Sequence, residues 1–166
     1  GDAGYDAARR CFNALIDRRP AVIVHCSGAA DVATAFDFAR AHELEVAVRG
    51  AGHNPAGHCV VDDGLVIDLS LLRAVHVDPA ARVARAGGGS TWRDFDTATL
   101  AAELVTPGGV VGSTGVCGLA LGGGIGHLSS RHGLTCDNLL GGELVTPDGA
   151  AVRVGATEPE TSELLW

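Results

Sequence analysis

The sequence contains no lysine and no methionine, and its twelve basic residues, all arginines, are outnumbered by twenty acidic ones. The net charge of −8 comes without a stripe or block of basic residues that would bind a phosphate backbone. Nucleic-acid binding is therefore disfavoured. Because even position 1 is not methionine, we expect that the N-terminus has been processed or trimmed, and an upstream signal would then not be visible.

Long apolar runs are also missing. A membrane-spanning helix needs about 20 apolar residues in a row, and a secretory signal needs an apolar segment near the N-terminus. The opening stretch GDAGYDAARR contains neither. We therefore expect a soluble, cytoplasmic protein with no membrane partner, although a signal that had been removed would leave no trace here.

The five cysteines are odd in number and scattered. They show neither the paired short spacing of a zinc site nor the density of a disulfide scaffold, so most are expected to be buried thiols. What remains is a chain of 166 residues with 46% hydrophobic residues and 24 glycines. This describes one globular domain in which the backbone often passes close to another group, either of the protein or of a ligand.

The first part of the chain predicts helices and parallel strands. A helix is expected over YDAARRCFNALIDRRP, because Ala8, Phe12, Leu15 and Ile16 share one stripe. A second helix, ADVATAFDFARAH with Asp31 as its cap, joins the strands AVIVH and LEVAVRG. This strand–helix–strand order implies parallel pairing with a right-handed crossover, and GLVIDLSLL is the third strand.

The second part predicts antiparallel structure. AVHVDPAARVARAG and GELVTPDGAAVRV are typical of hairpins, and Thr91 and Asp94 are spaced as a capping box for the helix TWRDFDTATLAAEL. The last stretch, TEPETSELLW, begins a helix whose apolar residues start only at its end. We therefore expect the chain to be the front part of something larger.

Two glycine segments border apolar runs, namely RGAGHN (49–54) and GGVVGSTGVCGLALGGGIG (108–126). Glycines in such places let backbone amides converge on an anion such as a pyrophosphate. The usual dinucleotide fingerprint comes after the first strand and opens a helix, and neither segment does so. A packing or turn role and phosphate binding therefore both remain open for these glycines.

His53 comes after a strand inside a glycine turn, where a side chain is exposed at the strand end. Its imidazole suits a base, a metal ligand or a nucleophile, or a turn residue with no role. His58, Asp62 and Asp63 are near in sequence, but no second spaced pair completes a zinc site. We therefore predict no metal.

These segments carry a resemblance to a known family. IDRRPAVIVHC, VAVRGAGHN, GLVIDLS, TPGGVVGSTGVCGLALGGGIGHLSSRHGLTCDNLL and ELVTPDG stand in the order and spacing of the FAD-binding part of the vanillyl-alcohol oxidase superfamily. The chain resembles in particular the bacterial berberine-bridge-enzyme-like FAD-linked oxidases, over nearly its whole length. The resemblance implies an α+β, PCMH-type FAD-binding domain of two lobes, about 1–72 and 73–166, that forms part of an oxidoreductase.

The resemblance also implies the role of His53. In this family the histidine of the RGxGH turn is joined covalently to the 8-methyl group of the flavin. It further implies that hydride passes from an alcohol or amine carbon of a small-molecule substrate to flavin N5. The catalytic base and the substrate domain are expected downstream, in a C-terminal part absent from this chain, so no catalytic residue is predicted here.

The cofactor-binding residues implied by the resemblance lie in three places. Residues Arg49 to Asn54 wrap the pyrophosphate, residues of the second segment line the phosphates and the ring, and the stretch from Asn138 to Val145 approaches the adenine half. The predicted residues are Arg49, Gly50, Ala51, Gly52, His53, Asn54, Gly57, His58, Gly108, Val111, Gly112, Thr114, Gly115, Gly118, Leu119, Gly122, Gly123, Gly126, Asn138 and Val145.

The chain departs from some relatives at two positions. Relatives that attach flavin a second time through cysteine have it where this chain has Val111, so we predict a single linkage, with Cys117 as a thiol bordering the cofactor or a small buried spacer. Leu119 stands where some relatives have a histidine. His127, His132 and Cys136 are assigned to packing or to the cofactor surroundings, and Asp68 to tying the loop backbone.

A second class of function stays open at this stage. The chain is either the cofactor-carrying part of an FAD-dependent oxidoreductase, or a noncatalytic module or folded fragment that binds a flavin or nucleotide. Colour that stays with the denatured polypeptide separates the covalent flavoprotein from the rival.

Overall fold

A computed structural model gives the fold, and it describes residues 2–155. The helices are α1 (Tyr5–Ala8), α2 (Ala29–Ala41), α3 (Trp92–Ala101), α4 (Val116–Leu121) and α5 (Ser129–His132), with a 3₁₀ turn after them at Cys136–Asn138. The strands are β1 (Val22–His25), β2 (Val46–Arg49), β3 (Leu65–Asp68), β4 (Val75–Asp78), β5 (Val83–Ala86), β6 (Gly141–Val145) and β7 (Ala151–Gly155). The helix predicted over TEPETSELLW lies outside the described residues.

Strands β1, β2 and β3 form a parallel sheet with β3 in the centre. The predicted parallel arrangement is confirmed, although β1 and β2, which α2 connects, are separated by β3. All four residues of β3 are buried, as expected for a strand covered on both faces. The register brings His25 of β1 and Arg49 of β2 level with Asp68 of β3 at the carboxyl edge of the sheet.

Helix α2 covers one face of this sheet. Its Ala35 and Ala39 are buried in a cluster with Leu65 and Ile67 of β3. The helix begins earlier than predicted, however, with Gly28 as its N-cap. The carboxylate of Asp31 instead accepts hydrogen bonds from the amide and hydroxyl of Ser27, at 2.8 and 2.6 Å, so the prediction that Asp31 is the cap is wrong.

The helix predicted over residues 5–20 is wrong beyond its first turn, because α1 ends at Ala8. Phe12 and Leu15, expected on a buried stripe, are 70% and 91% exposed. The chain turns to contact a loop distant in sequence. The Phe12 amide donates to the carbonyl of Gly52 at 3.0 Å, and Asn13 Nδ2 donates to the carbonyl of Pro55 at 3.0 Å. These tertiary hydrogen bonds outweigh the local helical pattern.

The second part has the predicted hairpins, β4 with β5 and β6 with β7, both antiparallel. The capping box of α3 is also confirmed, with Thr91 and Asp94 hydrogen-bonded in both directions. Trp92 and Phe95 of α3 form an apolar core with Val116. The β6–β7 hairpin returns to α2, where an Arg40 guanidinium nitrogen donates to the carbonyl of Pro147 at 2.6 Å.

No helix within residues 2–155 is long and apolar enough to cross a membrane.

Candidate cofactor site

The site begins at the carboxyl end of β2, where a buried ion pair fixes the backbone. Arg49 Nε donates to Asp68 Oδ2 at 2.9 Å, and Nη2 donates to the same oxygen. The two side chains are 7% and 4% exposed. Burial raises the pKa of Asp68, but hydrogen bonds from Ser70 and the Arg49 guanidinium lower it overall below its ordinary value. The Arg49 side chain is thus engaged with protein, and only its backbone leads into the loop.

The loop after β2 has backbone amides with no protein partner. Within residues 2–155, the amides of Ala51, Gly52, His53 and Asn54 donate to no protein acceptor. Gly52 has a φ of 72°, the left-handed conformation that glycine adopts without strain. A left-handed residue among successive amides lets them point toward one centre, which is the geometry of an anion-binding nest.

The far side of this loop is shaped by Asn54 and Gly57. The Asn54 side-chain oxygen accepts hydrogen bonds from the amides of Ala56 and His58, each at 3.1 Å. Gly57 has a φ of 77° and lies against Ile16, with only 2.8 Å from its Cβ position to Ile16 Cγ2. The Asn54 side chain and Gly57 therefore hold the loop itself, and the His58 side chain is exposed.

The two glycine segments meet at Gly115. A Cβ on Gly115 would lie 3.2 Å from the Cβ of Ala51, and a Cβ on Gly50 would lie 2.9 Å from the carbonyl oxygen of Gly88. Gly115 also pairs with Thr91 in an isolated antiparallel bridge. Three loops separated in sequence thus converge at the end of the parallel sheet, where open α/β sheets place ligands.

The His53 imidazole lies between two side chains from different parts of the chain. The ring of Phe12 stacks on it, with 4.1 Å between ring centroids and 16° between planes. Ser113 Oγ lies 3.1 Å from Nε2. His53 is therefore held at the junction of the N-terminal segment and the second glycine segment.

Several glycines of the second segment are explained by protein packing. A Cβ on Gly108 would lie 2.2 Å from the Trp92 ring, one on Gly126 would lie 1.7 Å from the carbonyl oxygen of Gly108, and one on Gly124 would lie 2.3 Å from Thr135 Oγ1. Gly123 has a φ of 96°. At the first three positions a side chain is excluded by the protein itself, and at Gly123 the backbone conformation favours glycine, so the packing or turn alternative accounts for all four.

Gly118 of α4 is different. No atom lies within 4 Å of the position that its Cβ would occupy, so protein packing does not require glycine there. Within the described part of the chain, the amides of Cys117 and Gly118, in the first turn of α4, also lack a protein acceptor. The surface of α4 at Gly118 is therefore uncovered, with free amides beside it.

The other predicted residues have diverse surroundings. Leu119 packs on the Trp92 core, the Thr114 carbonyl accepts from the Trp92 amide at 2.9 Å, and burial raises the pKa of the Cys117 thiol. Of the remaining predicted positions, Val111 is exposed and Gly112 lies beside Arg93. Gly122 is the C-cap of α4, and Val145 is the last residue of β6. The Asn138 side chain donates to the carbonyls of His132 and Leu134.

The sequence did not predict Phe12, Ser113 or the run Gly87–Gly89 at this site. Ser113 stands between two predicted positions, and the three consecutive glycines preceding Ser90 were a usable signal for close backbone approach. A Cβ on Gly89 would lie 1.9 Å from the carbonyl oxygen of Leu69. Phe12 gave no signal, because the helical pattern assigned it to the core.

Among residues 2–155, no three His, Cys, Asp or Glu side chains come together as a potential metal site.

Comparison with known proteins now decides the family. Residues 20–155 match the family described as FAD binding domain. The chain belongs to this family. The family resemblance predicted from the sequence is thereby confirmed, and so is the α+β fold class. The chain is an FAD binding domain of the kind found in FAD-linked oxidoreductases.

The relatives of this FAD binding domain are much longer. It is 38% identical to (R)-6-hydroxynicotine oxidase of Paenarthrobacter nicotinovorans, over 99% of this chain and 36% of that protein. It is 36% identical to an FAD-linked oxidoreductase of Aspergillus terreus, over 98% of this chain and 32% of that protein. The chain thus spans about a third of the length of these relatives.

Solved structures agree with the fold. The FAD binding domain matches 6-hydroxy-D-nicotine oxidase from Arthrobacter nicotinovorans with a TM-score of 0.95 and 38% identity, over 99% of this chain and 36% of that one. It matches the BBE-like 1 protein of Physcomitrella patens with a TM-score of 0.91 and 29% identity, over 95% of this chain and 35% of that one.

Proposed function

We propose that this domain carries the FAD of an oxidoreductase, and that the flavin is attached through His53 alone. The observation that supports the proposal most is the set of unpartnered amides at Ala51–Asn54, next to an imidazole that the fold holds in place. A diphosphate suits these amides because each charge-assisted hydrogen bond contributes about 1.5–3 kcal/mol.

The described residues fit such a cofactor in two further respects. The bare surface at Gly118 has no protein atom within 4 Å of its Cβ position, so it leaves room for a planar group. The second segment lies beside the His53 loop, with a Cβ on Gly115 only 3.2 Å from the Cβ of Ala51 and Ser113 Oγ 3.1 Å from His53 Nε2. We assign the amides of 51–54 to the pyrophosphate and the open surface at Gly118 to the ring.

When bound, FAD supplies an acceptor at N5 for hydride from an alcohol or amine carbon of a small-molecule substrate. The part of the protein beyond this domain would supply the substrate site and the catalytic base. This domain's own residues hold the phosphates, orient the ring and keep solvent from one side of it.

His53 would form the attachment. The bond would join a ring nitrogen that has a free lone pair to the 8-methyl carbon, and the bond broken would be one methyl C–H, with its proton and electron pair taken up by the isoalloxazine as the oxidant. The other ring nitrogen would keep its hydrogen, so the alkylated imidazole would carry positive charge near the flavin, which favours the reduced form. A second linkage is not expected, because Val111 has no sulfur and burial keeps the Cys117 thiol protonated by raising its pKa.

The test is production of the full-length protein with FAD, comparing wild type, His53→Ala and His58→Ala. We expect yellow colour to stay with the acid-denatured wild-type polypeptide and His58→Ala polypeptide, and to be released from His53→Ala. Attached flavin in His53→Ala would contradict the attachment. Bound FAD with no oxidation of any alcohol or amine would instead favour a noncatalytic flavin-binding module.

A further inference from the structure

We infer that Phe12 and Ser113 are positioning residues for His53, and that together they leave Nδ1 as the ring nitrogen that faces the cofactor. This inference rests on the proposed attachment and adds to it the two residues that prepare the imidazole. It is carried by the contacts that enclose the ring.

Ser113 engages one of the two ring nitrogens. Its Oγ lies 3.1 Å from His53 Nε2, and the two residues are 60 positions apart in sequence. Within residues 2–155, no other hydrogen bond is made by the His53 ring or by the Ser113 hydroxyl. If Nε2–H donates to the hydroxyl oxygen, the lone pair is left on Nδ1, the nitrogen able to form a new bond.

Phe12 fixes the plane of the ring. Its ring lies 4.1 Å from the imidazole at an angle of 16°, although the Phe12 residue is 70% exposed and belongs to no apolar core cluster of the described residues. Burial therefore does not explain the placement of the Phe12 ring, and its contact with the His53 ring does. Stacking covers one face of the imidazole and restricts its rotation about χ2.

The segment that carries Phe12 is tied to the loop on both sides. The Phe12 amide donates to the carbonyl of Gly52 at 3.0 Å, Asn13 Nδ2 donates to the carbonyl of Pro55 at 3.0 Å, and Arg49 Nη1 donates to the carbonyl of Arg10 at 3.4 Å. These bonds keep the Phe12 ring beside His53. The same bonds explain why the N-terminal helix stops short, since its residues are used here.

The effect of the arrangement is on the rate of attachment rather than on the affinity for FAD. Neither side chain belongs to the amides that we assign to the phosphates. Removing the Ser113 hydroxyl leaves His53 Nε2 without its hydrogen-bond partner, and removing the Phe12 ring lets the imidazole rotate. The imidazole orientation that can react is then populated less. The loss of one neutral hydrogen bond corresponds to about fivefold in such a population.

The experiment uses the full-length protein as Ser113→Ala and Phe12→Leu, with Ser113→Thr and Phe12→Tyr as conservative variants. Total bound flavin is measured before denaturation, and polypeptide-attached flavin is measured after acid at several times of reconstitution. We expect unchanged total flavin, attachment about fivefold slower in Ser113→Ala and Phe12→Leu, and recovery in both conservative variants. Unchanged attachment rates, or equal loss of total flavin, would overturn the inference.

A second measurement separates this inference from the attachment itself. ¹⁵N chemical shifts of His53 in the flavin-free protein report which nitrogen carries the proton. We expect the Nε2–H tautomer in wild type and a shift toward a mixture in Ser113→Ala. If His53 proves to carry no flavin but the tautomer changes as expected, the attachment fails and the positioning by Ser113 stands. An unchanged tautomer in Ser113→Ala overturns the inference.

Discussion

The two glycine segments are both rich in glycine, but for different physical reasons. In 49–54, the glycine conformation at Gly52 serves a loop whose amides have no protein partner within the described residues. In 108–126, Gly108, Gly124 and Gly126 are glycine because protein atoms occupy the space of a side chain. Gly118 differs from these three, because no neighbouring atom lies within 4 Å of its Cβ position. The comparison teaches that glycine richness marks close approach, and that only the structure tells whether protein or ligand approaches.

Gly126→Ala is the variant for which we expect the largest effect, and it tests whether protein packing explains the glycines of the second segment. Its Cβ would lie 1.7 Å from the Gly108 carbonyl oxygen, and backbone on both sides leaves no flexible group to yield. We expect destabilisation of about 3 kcal/mol or more, or failure to fold, measured by urea unfolding. Gly118→Ala is the matched control and should leave stability the same or raise it by up to about 1 kcal/mol. Equal stability of the two variants would refute the packing explanation.

The loop of the first segment is anchored by the buried Arg49–Asp68 ion pair, so we expect Arg49→Met to have the next largest effect on stability. It leaves the Asp68 carboxylate buried without its guanidinium partner, which we expect to cost about 3–5 kcal/mol in the free energy of unfolding. Arg73→Met removes the pair with Asp94, in which the arginine is 54% exposed, and should cost about 0.2–1 kcal/mol. Comparable losses for the two variants would show that the pair at Asp68 does not anchor the loop.

Gly118→Leu tests the one glycine of the second segment that we assign to the ligand. The side chain would project where no protein atom lies, so the thermal unfolding of the flavin-free protein should not change. FAD binding should weaken at least about tenfold, equivalent to about 1.4 kcal/mol, measured by fluorescence titration. Normal FAD binding by a well-folded Gly118→Leu protein would remove Gly118 from the site.

Asp94→Ala removes the capping box of α3, the helix that carries Trp92 behind the second segment. We expect it to lower the free energy of unfolding by about 0.5–2 kcal/mol. Asp96→Ala in the same helix is the control. The Arg73 hydrogen bond, together with those from Thr91, lowers the pKa of Asp94 from 3.8 to about 2.

A pKa lowered by folding means that the stabilisation is present above about 3.8 and is lost as pH falls toward about 2. Unfolding free energies between these pH values should therefore fall less steeply in Asp94→Ala than in wild type. Identical slopes would contradict this assignment.

The sequence predicted the regular elements well where pattern and tertiary structure agree. The parallel strands, both hairpins and the Thr91–Asp94 capping box carry local signals strong enough to be read directly. The prediction of a helix over 5–20 failed because Phe12 and Asn13 donate hydrogen bonds to Gly52 and Pro55. A periodicity of side chains contains no information about such distant partners. The single linkage, the lobe boundary near residue 72 and the site residues stay predictions.

The sequence allowed us to predict which loops form the candidate site, but not which side chains contact each other within it. The strand-end turn at His53 and the glycine segment that meets it were visible in the sequence, and the family resemblance gave them a cofactor. The stacking of Phe12 and the hydrogen bond of Ser113 were not visible, since each joins positions far apart in the chain. Likewise, Gly118 and Gly126 look alike in sequence and differ only in what surrounds them.

The central claim is that the amides of residues 51–54 hold the diphosphate of FAD and so bring the flavin to His53. A crystal structure of the full-length protein with FAD tests it most directly. We predict pyrophosphate oxygens within hydrogen-bonding distance of these amides, and continuous density between the His53 ring and the flavin. A diphosphate bound elsewhere, with the 51–54 amides facing only water, would contradict the claim.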